Sequence, residues 1–450
     1  MSADIILRKG LSIPISGKAD LSISSADSSD NFVIYPSDFH SVVPKMLLKE
    51  GEAVLQGQPI FYSKANPQIK FVSPVSGTIS NIERGAKRRI LAIEIFSNRK
   101  SDKIKHKVVE PNNLNSEDIK KKLLESGCWP FIKQRPYDVI ADPNSTPKSI
   151  FISGFSTAPL AANVSFILSS KREDFQNGIN VLAMLAPKVH LSVDASSDSF
   201  LAEVSNAEVH HIKGRHPAGN VGVQIHHIDP INAGETVWVV GPVDVARIGA
   251  FFSTGIFDAS QMIALVGPVV KSPKYFKSHI GAAVAPLLKQ AGINSNGQIR
   301  VINGDSLSGK AIHANGNLGF YNNTLTVLAE GNRYRMFGWL PFTGSKIFSM
   351  SRTSLSWLLP KRKYALDTNM NGEERALVVT GEMEQVLPMD IFPMQLLKEC
   401  MVENIEKMEG LGIYEVAPED FALVDYASTS KIEAQAIIRE ALDLMIKEVG

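Results

Sequence analysis

Residues 47–96 constrain the fold of this chain more than any other segment. They contain short β-branched runs that are separated by turn residues at close spacing: Gly51, Gly57, Pro59, Pro74, Gly77 and Gly85. A block reading GEAVLQGQPI leads into one hairpin, and a block reading SPVSGTI leads out of it. Because glycine adopts backbone angles that a Cβ resists, this spacing predicts short strands joined by tight turns.

This segment resembles the barrel-sandwich of biotinyl and lipoyl carrier domains, in which an exposed hairpin tip holds a modified lysine. Lys64 lies near that place. The spacing from Lys64 to Pro74 is longer than the carrier pattern, however. We therefore expect Lys64 to carry no covalent cofactor, and we expect the hairpin tip, residues 63–70, to contact another subunit.

Composition excludes several classes of function. The 47 basic and 46 acidic residues leave a net charge of +1, so no basic excess indicates nucleic acid as a partner. Cys128 and Cys400 are the only cysteines, which supports neither a disulfide framework nor a cysteine-held metal. Neither a signal peptide nor an apolar run long enough to cross a bilayer is evident, so the sequence predicts a chain that does not span a membrane by itself.

Four units are predicted along the chain, giving a multidomain α/β fold. Residues 1–100 form the barrel-sandwich, and residues 101–260 alternate strand and helix, which predicts a Rossmann-like domain with a parallel sheet. Its strands are expected at 149–153, 189–193 and 207–212, with a helix at 163–185. Residues 261–332 have the strand–helix–strand order of a β-grasp module of the soluble-ligand-binding (SLBB) type.

Residues 333–450 are predicted to form a helical domain. Asp390 is expected to cap a helix that ends at Gly410, and residues 430–433 (SKIE) form a predicted capping box before a last amphipathic helix. In this domain the segment 357–363 combines apolar and cationic side chains, and Trp339 precedes it. It is expected to dock on a partner subunit or, as the alternative, on a membrane surface.

Eight motifs occur in an order that resembles the A subunits of the Na+-translocating NADH:quinone oxidoreductases. They are KGLSIPISG (9–17), GEAVLQGQPIF (51–61), SPVSG (73–77), RGAKR (84–88), RPY (135–137), TAPLA (157–161), HPAG (216–219) and GEMEQVLPMD (381–390). The resemblance covers essentially the whole chain. It implies a scaffold like the flavin-binding subunit of respiratory complex I.

The resemblance also implies that the redox sites of that scaffold are absent here. Where the flavin subunit has a glycine-rich phosphate loop, this chain reads SGCWPFIK (126–133), with one glycine and two bulky aromatic residues. Residues 420–428 (DFALVDYAS) contain no cysteine for the iron–sulfur cluster of that subunit. We therefore expect no flavin and no Fe–S cluster on this chain, and we expect flavins and a 2Fe–2S cluster on partner subunits.

The function that the resemblance implies is that of a peripheral subunit of a sodium-pumping complex. The complex is expected to couple NADH oxidation and quinone reduction to Na+ export at the cytoplasmic face of the bacterial inner membrane. The membrane subunits B and C are the expected partners. Two alternatives remain: a flavin- or NADH-binding electron-transfer subunit like that of Rnf complexes, and a structural scaffold without a ligand.

Candidate ligand sites are few. Aromatic side chains at the carboxyl edge of the predicted sheet suggest an apolar slot for quinone, with cationic or imidazole groups to donate to its carbonyl oxygens. The candidate residues are Trp129, Phe131 and Phe155 for the walls, and Lys133, Arg135 and His40 as donors. Five histidines crowd into residues 210–227, but their spacing is not that of a zinc site, so we expect no metal there and favour a structural loop at an interface. The alternative that the resemblance implies is a relict nicotinamide pocket at residues 214–222.

Overall fold

The computed structural model describes residues 4–27, 29–332, 347–350 and 354–449. Its strands are β1 Ile5–Ile6, β2 Asp20–Ser25, β3 Asn31–Ile34, β4 Pro44–Met46, β5 Ala53–Val54, β6 Pro59–Ser63, β7 Lys70–Val72, β8 Gly77–Arg84, β9 Ile90–Ser97, β10 Ile132–Arg135, β11 Val139–Ile140, β12 Ile150–Ser153, β13 Val189–Asp194, β14 Glu208–Lys213, β15 Val237–Val240, β16 Ser260–Val266, β17 Lys274–His279, β18 Ile299–Asn303, β19 Lys310–Ile312 and β20 Thr324–Ala329. Its helices are α1 Ser116–Ser126, α2 Val164–Leu168, α3 Arg172–Leu182, α4 Val221–Ile228, α5 Pro242–Thr254, α6 Ala285–Ala291, α7 Glu382–Val386, α8 Pro393–Met401, α9 Ile405–Gly410, α10 Ala422–Ala427 and α11 Ala434–Glu448.

The barrel-sandwich predicted from residues 47–96 is present. One sheet has the order β3-β9-β8-β5 and the other has the order β4-β6-β7, and both are antiparallel. Phe61 and Phe71 stack between the strands at 4.4 Å, and Phe39 packs on both rings. Lys64 is exposed at the tip of the β6–β7 hairpin, where its backbone N–H donates to the Val43 carbonyl.

The Rossmann-like part is a seven-stranded sheet in the order β1-β14-β13-β12-β15-β10-β11. Its first five strands are parallel, as predicted. Strand β10 runs antiparallel to β15, and β11 runs antiparallel to β10. Strands β10 and β11 are consecutive and are joined by residues 136–138, a connection too short for the crossover that parallel neighbours need. The predicted helix at 163–185 is two helices, α2 and α3.

Helices α3 and α5 cross closely on one face of this sheet. At the crossing, a Cβ on Gly249 would collide with the α3 backbone at Asp174, so the close approach requires glycine. Helix α1 begins after Asn115, whose side chain accepts a hydrogen bond from the Asp118 N–H. It ends at Gly127, whose φ of 77° is left-handed and where a Cβ would collide with the Val72 side chain of the barrel.

The β-grasp part is built on a six-stranded sheet in the order β19-β18-β20-β16-β17-β2. Strands at 299–303 and 324–329 confirm the two predicted ones. The N-terminal segment joins sheets beyond the barrel: β1 pairs with β14, and β2 pairs with β17. Residues 4–25 therefore take part in both of the larger sheets.

The α-helices described in the C-terminal part begin at Glu382, and two predicted helix starts were wrong. The helix expected to begin after Asp390 begins at Pro393 and is divided into α8 and α9, because the chain leaves helical geometry near Glu403. Helix α11 begins at Ala434 without the predicted capping box. Trp357 and Leu358 are more than half exposed in a 3-10 turn, and Trp339 lies outside the described residues.

Candidate functional site

A cavity of about 270 Å³ opens at the carboxyl edge of the seven-stranded sheet. Strands β12 and β15 end at its wall with Ser153 and Val240, and α5 begins there at Pro242. The β-grasp part contributes Tyr321 and the loop 305–308, and the C-terminal part contributes Glu419 and Ala422. Open α/β sheets bind ligands at this edge, and here three parts of the chain enclose it.

Arg135 is the central cation of the cavity wall, and it is 1% exposed. Its guanidinium donates to Asp420 at 2.8 Å and to Glu419 at 2.6 Å, and both carboxylates come from the C-terminal part. Burial alone would lower the pKa of Arg135, but the two carboxylates outweigh it and raise that pKa above its usual value. This buried network joins the sheet to the C-terminal helices.

Lys133 lies beside Arg135 on β10 and is less firmly held. Its Nζ lies 3.7 Å from Asp138 and 4.8 Å from the centre of the Tyr321 ring. Burial would raise the pKa of Asp138, but the positive charges of Lys133 and Arg135 outweigh it and lower that pKa. A cation with one loose partner can donate a hydrogen bond to a ligand.

His216 and Asp244 are two further titratable residues of the cavity wall. His216 is 3% exposed, and burial lowers its pKa to about 4, so its imidazole is neutral near pH 7. Its Nδ1 contacts Thr157 Oγ1 at 3.3 Å. Burial raises the pKa of Asp244 above its usual range despite Arg247, which donates to it at 2.6 Å.

The structure brings only part of the predicted quinone slot together. Phe131 and Lys133 line the cavity. Trp129 is fully buried in the core, where its indole N–H donates to the Ala141 carbonyl and its ring packs against Trp238. The two aromatic residues diverge because residues 129–131 form a 3-10 turn, whose side chains point in different directions.

The other two predicted residues lie elsewhere in the described part of the chain. Phe155 packs, partly buried, against the hydrophobic core of the C-terminal part. His40 is on the surface and contacts Asp443 of α11 at 2.7 Å. The wall residues that the sequence did not indicate, Tyr321 and Glu419, come from parts far from β10 in the chain, and no local pattern marks them.

The five crowded histidines separate in the structure. His226 contacts Glu415 at 2.7 Å and accepts from the Asp390 N–H, and His227 contacts the Pro388 carbonyl at 2.7 Å. These contacts tie α4 to the C-terminal part. His216 lines the cavity, and His210 lies on β14.

Comparison with known proteins gives matches along the chain. Residues 5–98 match the NqrA N-terminal barrel-sandwich hybrid domain, residues 114–257 match the NqrA second alpha/beta domain, and residues 262–314 match the NQRA C-terminal domain. Among the described residues, none of the helices combines the length and the apolar character that crossing a membrane requires.

Curated relatives match over nearly the full length. The A subunit of the Na(+)-translocating NADH-quinone reductase of Haemophilus influenzae is 36% identical over 449 residues, which cover 99% of this chain and 100% of the relative. The corresponding protein of Neisseria meningitidis serogroup B is 33% identical with the same coverage. A solved NAD+-reducing [NiFe]-hydrogenase is similar over 75% of this chain and 64% of its own, at 10% identity and a TM-score of 0.37, too low to support an argument.

Proposed function

This chain belongs to the NqrA family, the A subunits of the Na(+)-translocating NADH-quinone reductases, and we propose that it fills that place in a sodium-pumping complex. The observation that carries the proposal is the match over 99% of this chain and 100% of the relative, at 36% identity. The complex is a translocase that oxidises NADH, reduces quinone and exports Na+. This chain is its peripheral subunit, located at the cytoplasmic face of the membrane, and the membrane subunits B and C are its partners.

The cavity at the carboxyl edge is the place where this chain contacts quinone. Phe131, Val239 and Tyr321 supply apolar surfaces for a flat ring, and Lys133 supplies a donor for a carbonyl oxygen. Arg135 is already occupied by two carboxylates, which leaves Lys133 as the better donor.

The redox cofactors of the complex reside on partner subunits. In this chain, the turn that corresponds to a phosphate loop is filled by the buried side chains of Trp129 and Phe131. Gly127, the glycine of this turn, lies against Val72 of the barrel, and a Cβ at this position would collide with the Val72 side chain. This glycine therefore serves the packing of the turn on the barrel. Both features support a scaffold that holds no flavin at this turn. The lack of cysteine in residues 420–428 supports a scaffold without an Fe–S cluster.

Assembly is tested by purification from membranes in mild detergent through an epitope tag on this chain. We expect co-elution in fixed ratio with membrane subunits that mass spectrometry identifies as B and C, together with visible flavin absorbance. After the complex is dissociated, the flavin should leave with the partners. A chain that elutes alone, or one that retains flavin by itself, would contradict the proposal.

Quinone contact is tested by equilibrium binding of a short-chain quinone to the purified chain. Ala158→Trp places a bulky ring at the cavity wall without removing a polar contact, so we expect affinity to fall at least about tenfold, about 1.4 kcal/mol. Ala233→Trp adds the same ring at an exposed loop position and should leave affinity unchanged. Equal affinity in both variants would place quinone elsewhere.

A further inference from the structure

Three potential ligand groups meet near the amino edge of the seven-stranded sheet, away from the cavity. His190 is the second residue of β13, and Glu208 and His210 lie at the start of β14. The parallel register pairs His190 with Glu208 and Ser192 with His210. Residues two apart on a strand face the same side, so both β14 side chains can reach His190.

The ligand atoms are close together. His190 Nδ1 lies 3.0 Å from His210 Nε2 and 3.4 Å from Glu208 Oε2. All three ligand atoms lie within 4.8 Å of one another. The imidazole ring centroids of the two histidines are 5.2 Å apart.

These separations are close to those of ligands on a single tetrahedral ion. With metal–nitrogen distances of about 2.0–2.1 Å, two imidazoles on such an ion have nitrogens about 3.3 Å and ring centroids about 5 Å apart. A swing of the rings by roughly a few tenths of an ångström from the observed positions would admit the ion. Two imidazoles and one carboxylate are three protein ligands, which leaves a fourth position for water.

The surroundings hold the three groups in place. The Phe151 ring packs against His190 with centroids 4.7 Å apart, and His190 is 3% exposed. Lys188 lies 3.6 Å from the other oxygen of Glu208, Oε1, which leaves Oε2 directed at His190. Glu208 itself is half exposed, so an ion can enter from solvent on that side.

Acidic side chains lie near the cluster. Asp4 acts electrostatically on His210, and Asp229 acts on His190 while it is paired with Lys148 at 2.6 Å.

We propose that His190, Glu208 and His210 form a binding site for one divalent transition-metal ion of the zinc class. Two imidazoles with one carboxylate suit Zn2+, Co2+ or Ni2+ better than Mg2+ or Ca2+, which prefer oxygen ligands. The ion would tie β13 to β14 at the edge opposite the cavity. It takes no part in the proposed quinone contact.

The test is a Co2+ titration of the purified, tag-free chain, followed by visible absorbance and then by competition with Zn2+. We expect one Co2+ per chain with the intense bands of a tetrahedral ion, and displacement by Zn2+. Glu208→Gln, at a half-exposed position that folding tolerates, and His210→Gln should each weaken binding at least tenfold. His211→Gln is the matched control, because His211 is the next residue on β14 and faces the opposite side.

The results separate the site from an adventitious one. Absence of stoichiometric Co2+ binding would overturn the proposal and leave a hydrogen bond between two neutral imidazoles. Equal weakening by His211→Gln and His210→Gln would also overturn it, since the ion would then be held by scattered histidines.

Discussion

The two edges of the seven-stranded sheet use polar side chains in opposite ways. At the carboxyl edge, the charged groups come from several parts of the chain and are mostly paired with one another: Arg135 with Asp420 and Glu419, and Asp244 with Arg247. Near the amino edge, His190, Glu208 and His210 come from two neighbouring strands and contact chiefly one another. The carboxyl edge therefore holds domains together around a cavity, whereas the amino edge presents a compact set of ligands.

This comparison indicates which carboxyl-edge residues are structural and which can meet a ligand. Residues with two strong partners, such as Arg135, should matter most for stability. Lys133, with one partner at 3.7 Å, should matter most for binding.

The largest effect is expected from removing the buried cation. Arg135→Met leaves Asp420, which is fully buried, without its counter-charge, and we expect the free energy of unfolding to fall by about 3–5 kcal/mol. Urea unfolding followed by tryptophan fluorescence measures this loss, because Trp238 lies on β15 of this sheet and Trp129 packs against it. Arg135→Lys keeps the positive charge, so its free energy of unfolding should fall by less. A loss under about 1 kcal/mol in Arg135→Met would show that the network does not hold the domains.

The second effect is the pH dependence that His216 contributes. Between its usual pKa of 6.5 and its folded pKa of about 4, the unfolded chain binds a proton that the folded chain excludes. The free energy of unfolding therefore falls as pH falls below 6.5, by about 2 kcal/mol at pH 5 from this residue. His216→Asn should remove this contribution to the pH dependence of the free energy of unfolding. An equal difference in the free energy of unfolding between wild type and variant at pH 7 and at pH 5 would contradict this prediction.

A smaller effect is expected for Lys133 on ligand binding. Lys133→Met removes one charged hydrogen-bond donor, so the affinity for a short-chain quinone should fall about tenfold, or about 1.4 kcal/mol. Lys45→Met is the matched control, since Lys45 also lies over a tyrosine ring, that of Tyr62, but in the barrel. Equilibrium binding to the purified chain measures both. Similar affinities for the two variants would remove Lys133 from the site.

The smallest effect is expected for His40. Its contact with Asp443 is between side chains that are 38% and 46% exposed, and such pairs contribute at most about 1 kcal/mol. His40→Ala should therefore shift unfolding by less than that and leave quinone binding unchanged. Weaker quinone binding in this variant would show that His40 contributes to the quinone site and would contradict the assignment of that site to the cavity alone.

Local patterns in the sequence predicted much of the fold and part of the site. The glycine spacing of residues 47–96 and the apolar runs of β12 and β13 are set by neighbours in the chain, so they can be read locally. Other contacts join residues that are hundreds of positions apart, as in the pairing of β1 with β14 and the contact of Arg135 with Asp420. Local sequence patterns cannot predict such contacts. His190 was missed for the same reason, because its partners become neighbours only through strand register.

The most direct test of the account is the Na+-stimulated NADH:quinone reductase activity of membranes from cells that lack this chain. We predict that the activity is lost without the chain and returns when the wild-type chain or His40→Ala is supplied. Full Na+-stimulated activity in membranes without the chain would contradict its assignment as a subunit of the complex.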